Sequence, residues 1–316
     1  MNERGVALVI VLWLVVLLTV LAGTFAVASR TDNLLTRNLY NTAQARLAAE
    51  AGLHMAVFEL TNPDNEKRWK ADGHPHLVEF GGAVLEIAIF DEAGKVDLNG
   101  AGPELLRGLM DSLGLPEEQR DALVGAIMDW RDADDLVSLN GAEDPDYAAA
   151  GLAYGARDEP FTSVEELQQL LGMTWDIYQQ LEPAVTVYSG SSVINAQAAP
   201  PEALMALPGM TAEACQQFVD DRSNFAVDGG PPPVLPAGVA TSLAGGGGHT
   251  YSVRAHARLE NDAIAELEAV VRLQKSGQRA FTVLRWSEKP SPHENLEPVC
   301  PGMESDDEAY EFDDAV

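Results

Sequence analysis

Hydrophobic residues recur along this chain in three rhythms. From Val6 to Ala28 they run on with no charged residue between them. That is about 35 Å of helix, enough to cross a hydrocarbon core of roughly 30 Å. The helical signal then continues past the apolar run, with Leu39, Ala43, Leu47, Ala51 and Met55 at four-residue spacing. The spacing predicts one long helix over 6–62, membrane-spanning over 6–28, broken by Asn62-Pro63-Asp64. The second rhythm is alternation. Around Gly81-Gly82 two strands are predicted within 63–100, with Val84, Glu86, Ala88 and Phe90 set against Leu85, Ile87 and Ile89. From about residue 101 to 221 the texture changes to short amphipathic helices punctuated by Pro and Gly. Ser223 to Gly248, with Pro231-Pro232-Pro233 and Gly245 to Gly248, reads as a linker closing a helical insert over 101–240. Alternation returns over 241–289, where Asn261-Asp262 and Ser276-Gly277 supply turns. The tail, 290–316, ends in MESDDEAYEFDDAV, seven acids in fourteen residues, a composition that predicts disorder. The expected class is therefore α+β. A long helix packs on an antiparallel sheet, and a large helical block is inserted between the second and third strands.

The polar leader MNERG, residues 1–5, changes the reading of the first helix. Gly5 followed at once by the apolar run resembles a type IV prepilin leader, which is cut after the glycine to leave Val6 as the new N-terminus. Most pilins carry a glutamate at the fifth mature position; here that position is Ile10. A plain signal-anchor is the alternative. A cleaved export signal fits less well, because neither Ala22-Gly23 nor Ala26-Val27-Ala28 is followed by a polar break. Arg4 and the uncharged flank up to Arg30 suit a cytoplasmic N-terminus with the bulk of the chain outside.

Charge narrows the partners. The 316 residues carry a formal net charge of −29, which opposes binding to phosphate backbones and to anionic lipid surfaces. It agrees with a chain that binds cations or works in an extracytoplasmic space. Cys215 and Cys300 are the only cysteines. Outside the cytoplasm such a pair is expected to form a disulfide fixing the tail to the folded body, with buried free thiols as the alternative.

The densest polar constellation lies between Asp129 and Tyr147. Asp132, Asp134, Asp135, Glu143, Asp144 and Asp146 place six carboxylates within fifteen residues, with Arg131 the single positive group. Hard oxygen ligands in a loop containing Gly and Asn suit Ca²⁺. Asp132 and Asp134 resemble the start of an EF-hand loop and Glu143 its end. Leu136 and Val137, however, stand where that motif needs an acid and a glycine. A solvated acidic loop, or paired catalytic carboxylates of a hydrolase, are the competing readings. No G-x-S-x-G, P-loop, G-x-G-x-x-G or H-E-x-x-H occurs, and the six histidines are scattered. Leu204, Leu207, Pro208 and Gly209 form the turn of what looks like a helix-hairpin-helix unit, a common DNA-binding device. Glu213, Asp220 and Asp221 follow it, and no lysine lies between Lys95 and Lys275. No nucleic acid is expected, and the hairpins read as a way of packing short helices.

Taken together, the RGVALVIVLW start without a glutamate at Ile10, the VDLNGA strand end, DWRDADD…GAEDPDY, PFTSVEEL and VINAQAAPPEAL resemble the GspK family of minor pseudopilins of bacterial type II secretion systems. The likeness runs from the leader to about Lys289. It implies a type IV pilin-like body with a large helical insert and a structural two-calcium site. The calcium role carries to Asp132, Asp134, Glu143, Asp144 and Asp146, with Asp135 beside them. It also implies cleavage between Gly5 and Val6 by a prepilin peptidase, with N-methylation. The subunit would be a non-enzymatic one in the inner membrane with its bulk in the periplasm. It would cap or initiate a pseudopilus with other minor pseudopilins above the major pseudopilin, and secreted substrates are further expected partners. A membrane-anchored periplasmic hydrolase is the alternative function.

Overall fold

A computed structural model describes residues 3–64, 67–228, 232–274, 279–288 and 300–301. The first helix, α1 (Glu3–Leu60), is continuous over 58 residues. From Ile10 to Ala28 the apolar run is exposed, and α1 is the one helix among the described residues long and apolar enough to cross a membrane. Its last five turns pack against the rest of the chain. Ala45, Ala48, Ala49, Leu53, Ala56, Val57 and Leu60 are buried, whereas Leu39 and Leu47 of the four-residue stripe stay exposed. The buried face is built from alanine because the sheet comes close. A Cβ on Gly52 would lie 3.2 Å from Ala255 Cβ and 3.3 Å from Ile87 Cγ1.

That sheet begins with the hairpin β1 (His76–Phe80) and β2 (Ala83–Asp91). The two strands are antiparallel about Gly81-Gly82, both at positive φ. After β2 the chain leaves the sheet through the short strand β3 (Val96–Asp97). It then forms α2 (Pro103–Ser112), α3 (Glu117–Arg131), α4 (Asp144–Ala149) and α5 (Trp175–Leu181). Strand β4 (Val185–Thr186), α6 (Pro201–Met205) and α7 (Ala212–Asp228) complete the insert. The chain re-enters as β5 (Thr250–Leu259), β6 (Ile264–Leu273) and β7 (Phe281–Ser287). The five-stranded sheet has the order β1-β2-β5-β6-β7. β5 lies directly against β2, Ile87 opposite Ala255, so the sheet closes across the insertion.

Three boundaries differ from the sequence reading. The insert starts before residue 101, since Val96 and Leu98 already lie in its core and β3 pairs in parallel with β4. This two-residue pairing was invisible to periodicity. α7 continues to Asp228, because 223–228 contains no Gly or Pro to stop it. The segment read as the end of a linker packs on the insert, with Ile194 bridged to Ala244. Of the two predicted strand turns, Asn261-Asp262 is seen, with Asp262 at φ 61°. Ser276-Gly277 and most of the tail lie outside the described residues.

The insert is joined to the sheet by buried carboxylates. Asp91 accepts from the backbone of Ala93 (3.0 Å) and Gly248 (3.0 Å) and from Asn195 Nδ2 (3.2 Å). Asp97 accepts from Asn99, Gly100 and Gly190 N–H and from Ser189 Oγ, at 2.7–3.0 Å. Glu92 accepts from Thr186 of β4, from Ser252 of β5 and from Lys95 Nζ at 3.0 Å. Burial alone would push its carboxyl up, but Lys95 and the two hydroxyl donors hold it below the ordinary 4.5. A carboxyl depressed by folding adds stability above its unfolded value and loses it as pH falls through the folded one. Acid melting below about pH 4.5 is therefore expected to be steeper in the wild type than in Glu92→Gln. At neutral pH that variant should be less stable by about 2 kcal/mol, the scale of lost charge-assisted bonds. Equal pH profiles would rule the brace out.

Cys215 of α7 and Cys300 are disulfide-bonded, Cα to Cα 6.1 Å, closing 85 residues of chain. Both are buried in the core of the insert. The link ties the chain beyond β7 back to α7.

Candidate cation site in the helical insert

The last turn of α3 carries Trp130, which packs with Tyr147 and Phe161 at ring-centroid distances of 6.1 and 6.2 Å. It also carries Asp129, fully buried, whose carboxylate accepts the Ser138 N–H at 3.0 Å. This bond folds the acidic loop back over its own helix. Glycine permits the approach. A Cβ on Gly141 would fall 1.9 Å from Asp129 Oδ2, and one on Gly125 would fall 2.6 Å from Gly141 N. Arg131, the expected counter-charge, points elsewhere. Its guanidinium donates to the carbonyls of Leu98 and Ala101, binding α3 to the turn after β3. The carboxylates are left to one another.

A second segment meets them. Asn99 clasps Phe161 with two bonds, Nδ2 to the carbonyl (2.9 Å) and Phe161 N–H to Oδ1 (2.8 Å). Arg157 pairs with the buried Glu166 at 2.6 Å. Between these anchors Asp158 adopts φ 56°. Gly155 lies against Asp144, where a Cβ would sit 1.6 Å from Oδ1. The VDLNGA, acidic-loop and PFTSVEEL segments, far apart in sequence, thus come together here.

Three carboxylate oxygens in this region are buried with no hydrogen-bond partner: Asp132 Oδ1, Glu143 Oε1 and Asp158 Oδ1. Glu143 is 2% exposed. Burial, then the negative charges of Asp129, Asp158, Asp132 and Asp135, push its carboxyl up to about 7. Asp132 is raised by burial and by Asp134, Asp129 and Asp158. Asp158 is raised by burial and by Asp135 and Asp144. Asp134 and Asp146 are used differently. Asp134 Oδ1 accepts the Leu136 N–H at 3.0 Å, and Asp146 Oδ2 accepts the Glu143 N–H at 3.1 Å at the start of α4. As the side chains stand, no three His, Cys, Asp or Glu among the described residues are gathered closely enough to hold a metal ion. The donor set still fits a hard cation: oxygen throughout, two segments converging, and orphaned buried oxygens whose repulsion a positive charge would relieve. Asp158 was missed by the sequence reading. It lies outside the acidic run, and the Asn99–Phe161 clasp and the Arg157–Glu166 pair bring it in.

The helix-hairpin-helix turn is covered by its own chain. Pro208 O accepts the Ala240 N–H at 2.9 Å, and a Cβ on Gly209 would meet Gly238 O at 2.3 Å. Gly5 and Val6 fall within α1.

Residues 89–190 match the family model for type II secretion system (T2SS), protein K. The chain is similar to type II secretion system protein K of Pectobacterium carotovorum, 34% identical over 26% of this chain and 25% of that protein. Similarity to its counterpart in Klebsiella pneumoniae is 29%, over 58% and 62% of the two chains. For Pseudomonas aeruginosa it is 27%, over 70% and 73%. The chain thus spans a quarter of the length of the first of these relatives and nearly three quarters of the last. Its fold matches a chain in the crystal structure of the GspK-GspI-GspJ complex from enterotoxigenic Escherichia coli, with TM-score 0.55 and 17% identity over 83% of this chain and 99% of that one. The family model thus lies on the insert, the relatives extend the likeness over more of the chain, and the shared fold covers nearly the whole of that neighbour, so the chain is similar to type II secretion system protein K in both sequence and fold.

Proposed function

We propose that this chain is a non-enzymatic minor pseudopilin, anchored in the inner membrane with its bulk in the periplasm, that stands at the tip of a pseudopilus. The observation that carries the reading is where the insert leaves the sheet. Gln44 Nε2 reaches Gly81 O at 3.4 Å, so the β1–β2 turn lies toward the membrane side of α1. The opposite end of β2 is bonded to the segment following α1, Gly73 N to Ile89 O at 2.8 Å. The insert therefore rises from the end of the sheet remote from the apolar run and obstructs addition of a subunit above.

Ile10 points the same way. A buried carboxylate at the fifth mature position could neutralise the N-terminal amine of a neighbour; an isoleucine cannot. The subunit's own Val6 amine can still be met by a partner's glutamate, which makes assembly one-sided. Calcium fits as a structural ion held by Asp132, Glu143 and Asp158, with Asp135 and Asp144 beside them. Asp134 and Asp146 shape the loop. Bound there, the ion supplies positive charge that fixes the loop and the 155–158 turn together. No observation among the described residues favours the hydrolase reading.

The test is assembly. Full-length protein in detergent, mixed with the other minor pseudopilins of its host, is expected to form a discrete complex and no filaments by itself. Self-polymerisation, or failure to associate with any pilin-like subunit, would overturn the proposal.

A further inference from the structure

Two histidines stand where the segment after α1 joins the sheet. His74 precedes Pro75, which holds it extended, and His76 opens β1, so their imidazoles leave the chain on the same side. The ring centroids are 6.4 Å apart. The backbone beneath them is fixed. Gly73 N–H donates to Ile89 O at 2.8 Å and Asp91 N–H to Ala71 O at 3.2 Å, while His74 N–H donates to Asp72 Oδ1 at 3.0 Å. Gly73 takes φ 83° against Phe90, where a Cβ would fall 2.6 Å from Cε1. The His76 ring lies flat on Trp69, with centroids 4.0 Å and planes 6° apart. Its Nε2 is buried with no hydrogen-bond partner, a state that buried polar atoms rarely keep. From this geometry we infer that His74 and His76 hold a transition-metal ion of the Zn²⁺ class, with water completing its coordination.

Donor chemistry selects that ion. Imidazole nitrogens take Zn²⁺, Cu²⁺ or Ni²⁺, whereas Ca²⁺ takes oxygen, so the site differs in kind from the acidic loop. Burial lowers the His76 pKa below its ordinary 6.5, which keeps the ring neutral, the form a metal ligand must have. The carboxylates of Asp72 and of Glu59 on α1 act on the same ring with negative charge, and that charge favours a cation beside it. His74 is exposed, and a turn of its ring brings a nitrogen to the ion. As the side chains stand, no third His, Cys, Asp or Glu among the described residues is gathered with the pair, so the site has two protein ligands and stays open to water. Bound there, the ion ties the connection after α1 to the edge strand β1. The inference is independent of the tip position proposed above.

The experiment titrates Zn²⁺ by calorimetry into the full chain in detergent, with calcium held in excess. One Zn²⁺ per chain is expected to bind. His74→Ala and His76→Ala should each weaken it at least roughly tenfold, since even residues that only support a ligand cost that much. Asp132→Ala with Glu143→Ala should leave it unchanged. Cu²⁺, which such nitrogens bind more tightly, should quench the Trp69 fluorescence, and the quenching should be lost in His76→Ala and much reduced in Trp69→Phe. Absence of Zn²⁺ binding in the wild type, or binding that survives in the double variant His74→Ala/His76→Ala, overturns the inference. So does loss of Zn²⁺ in the Asp132/Glu143 variant, which would place the ion in the acidic loop. If His76→Ala melts early, His74→Ala, a change at an exposed position, decides it with the Cu²⁺ quenching.

Discussion

Removal of calcium is expected to lower the melting temperature of the protein by roughly 5–10 °C. An ion bound only by the folded form at a hundred times its Kd adds about 2.7 kcal/mol, and each kcal/mol shifts a domain of this size by about 2–4 °C. The distinctive expectation concerns Asp132→Ala with Glu143→Ala. In calcium the double variant should melt below the wild type, because the ion has lost two of its oxygens. In chelator the order should reverse or vanish, because two carboxylates, each with a buried oxygen lacking a partner, no longer repel Asp129, Asp135 and Asp158. Asp158→Ala should weaken the calcium response although it lies twelve residues beyond the acidic run. Melting curves with and without chelator check all three. Curves that ignore calcium would remove the ion from the account.

Gly5→Leu is expected to abolish processing and, with it, secretion to the level of a deletion strain. The leader places Glu3 and Arg4 directly before the apolar run. Uncleaved, it keeps charged groups at the end of a helix that must pack among other helices in lipid, where they are expensive. Mass spectrometry of the mature N-terminus should find Val6 in the wild type and Met1 in the variant. Ile10→Glu should give no gain in secretion, since a tip subunit has no amine above it to pair with. The added charge would cost several kcal/mol if it stayed ionised.

Periodicity carried the sheet and the helix because both bury one face. The alternation of Leu85, Ile87 and Ile89 identified the face that α1 covers. On α1 the stripe most visible in sequence, Leu39 to Met55, is not the buried one. The sheet selects Ala45, Ala48, Ala49 and Ala56 because close approach needs small side chains, and alanine carries little hydropathic signal. At the candidate site, residue type was legible and geometry was not. Six acids within fifteen residues are the basis on which the sequence suggests a cation. Asp146 starts a helix and Asp134 closes a turn through bonds to near neighbours, whereas Asp158 arrives from another segment, held by the Asn99–Phe161 clasp. Such a contact spans 62 residues and leaves no trace in local pattern.

The central claim, a tip subunit, is tested most directly by where the protein sits on a pseudopilus. With a gold label on the helical insert and filaments induced in the native host, electron microscopy should show one label at one end of each filament and none along the shaft. Labels distributed along the shaft would contradict the account.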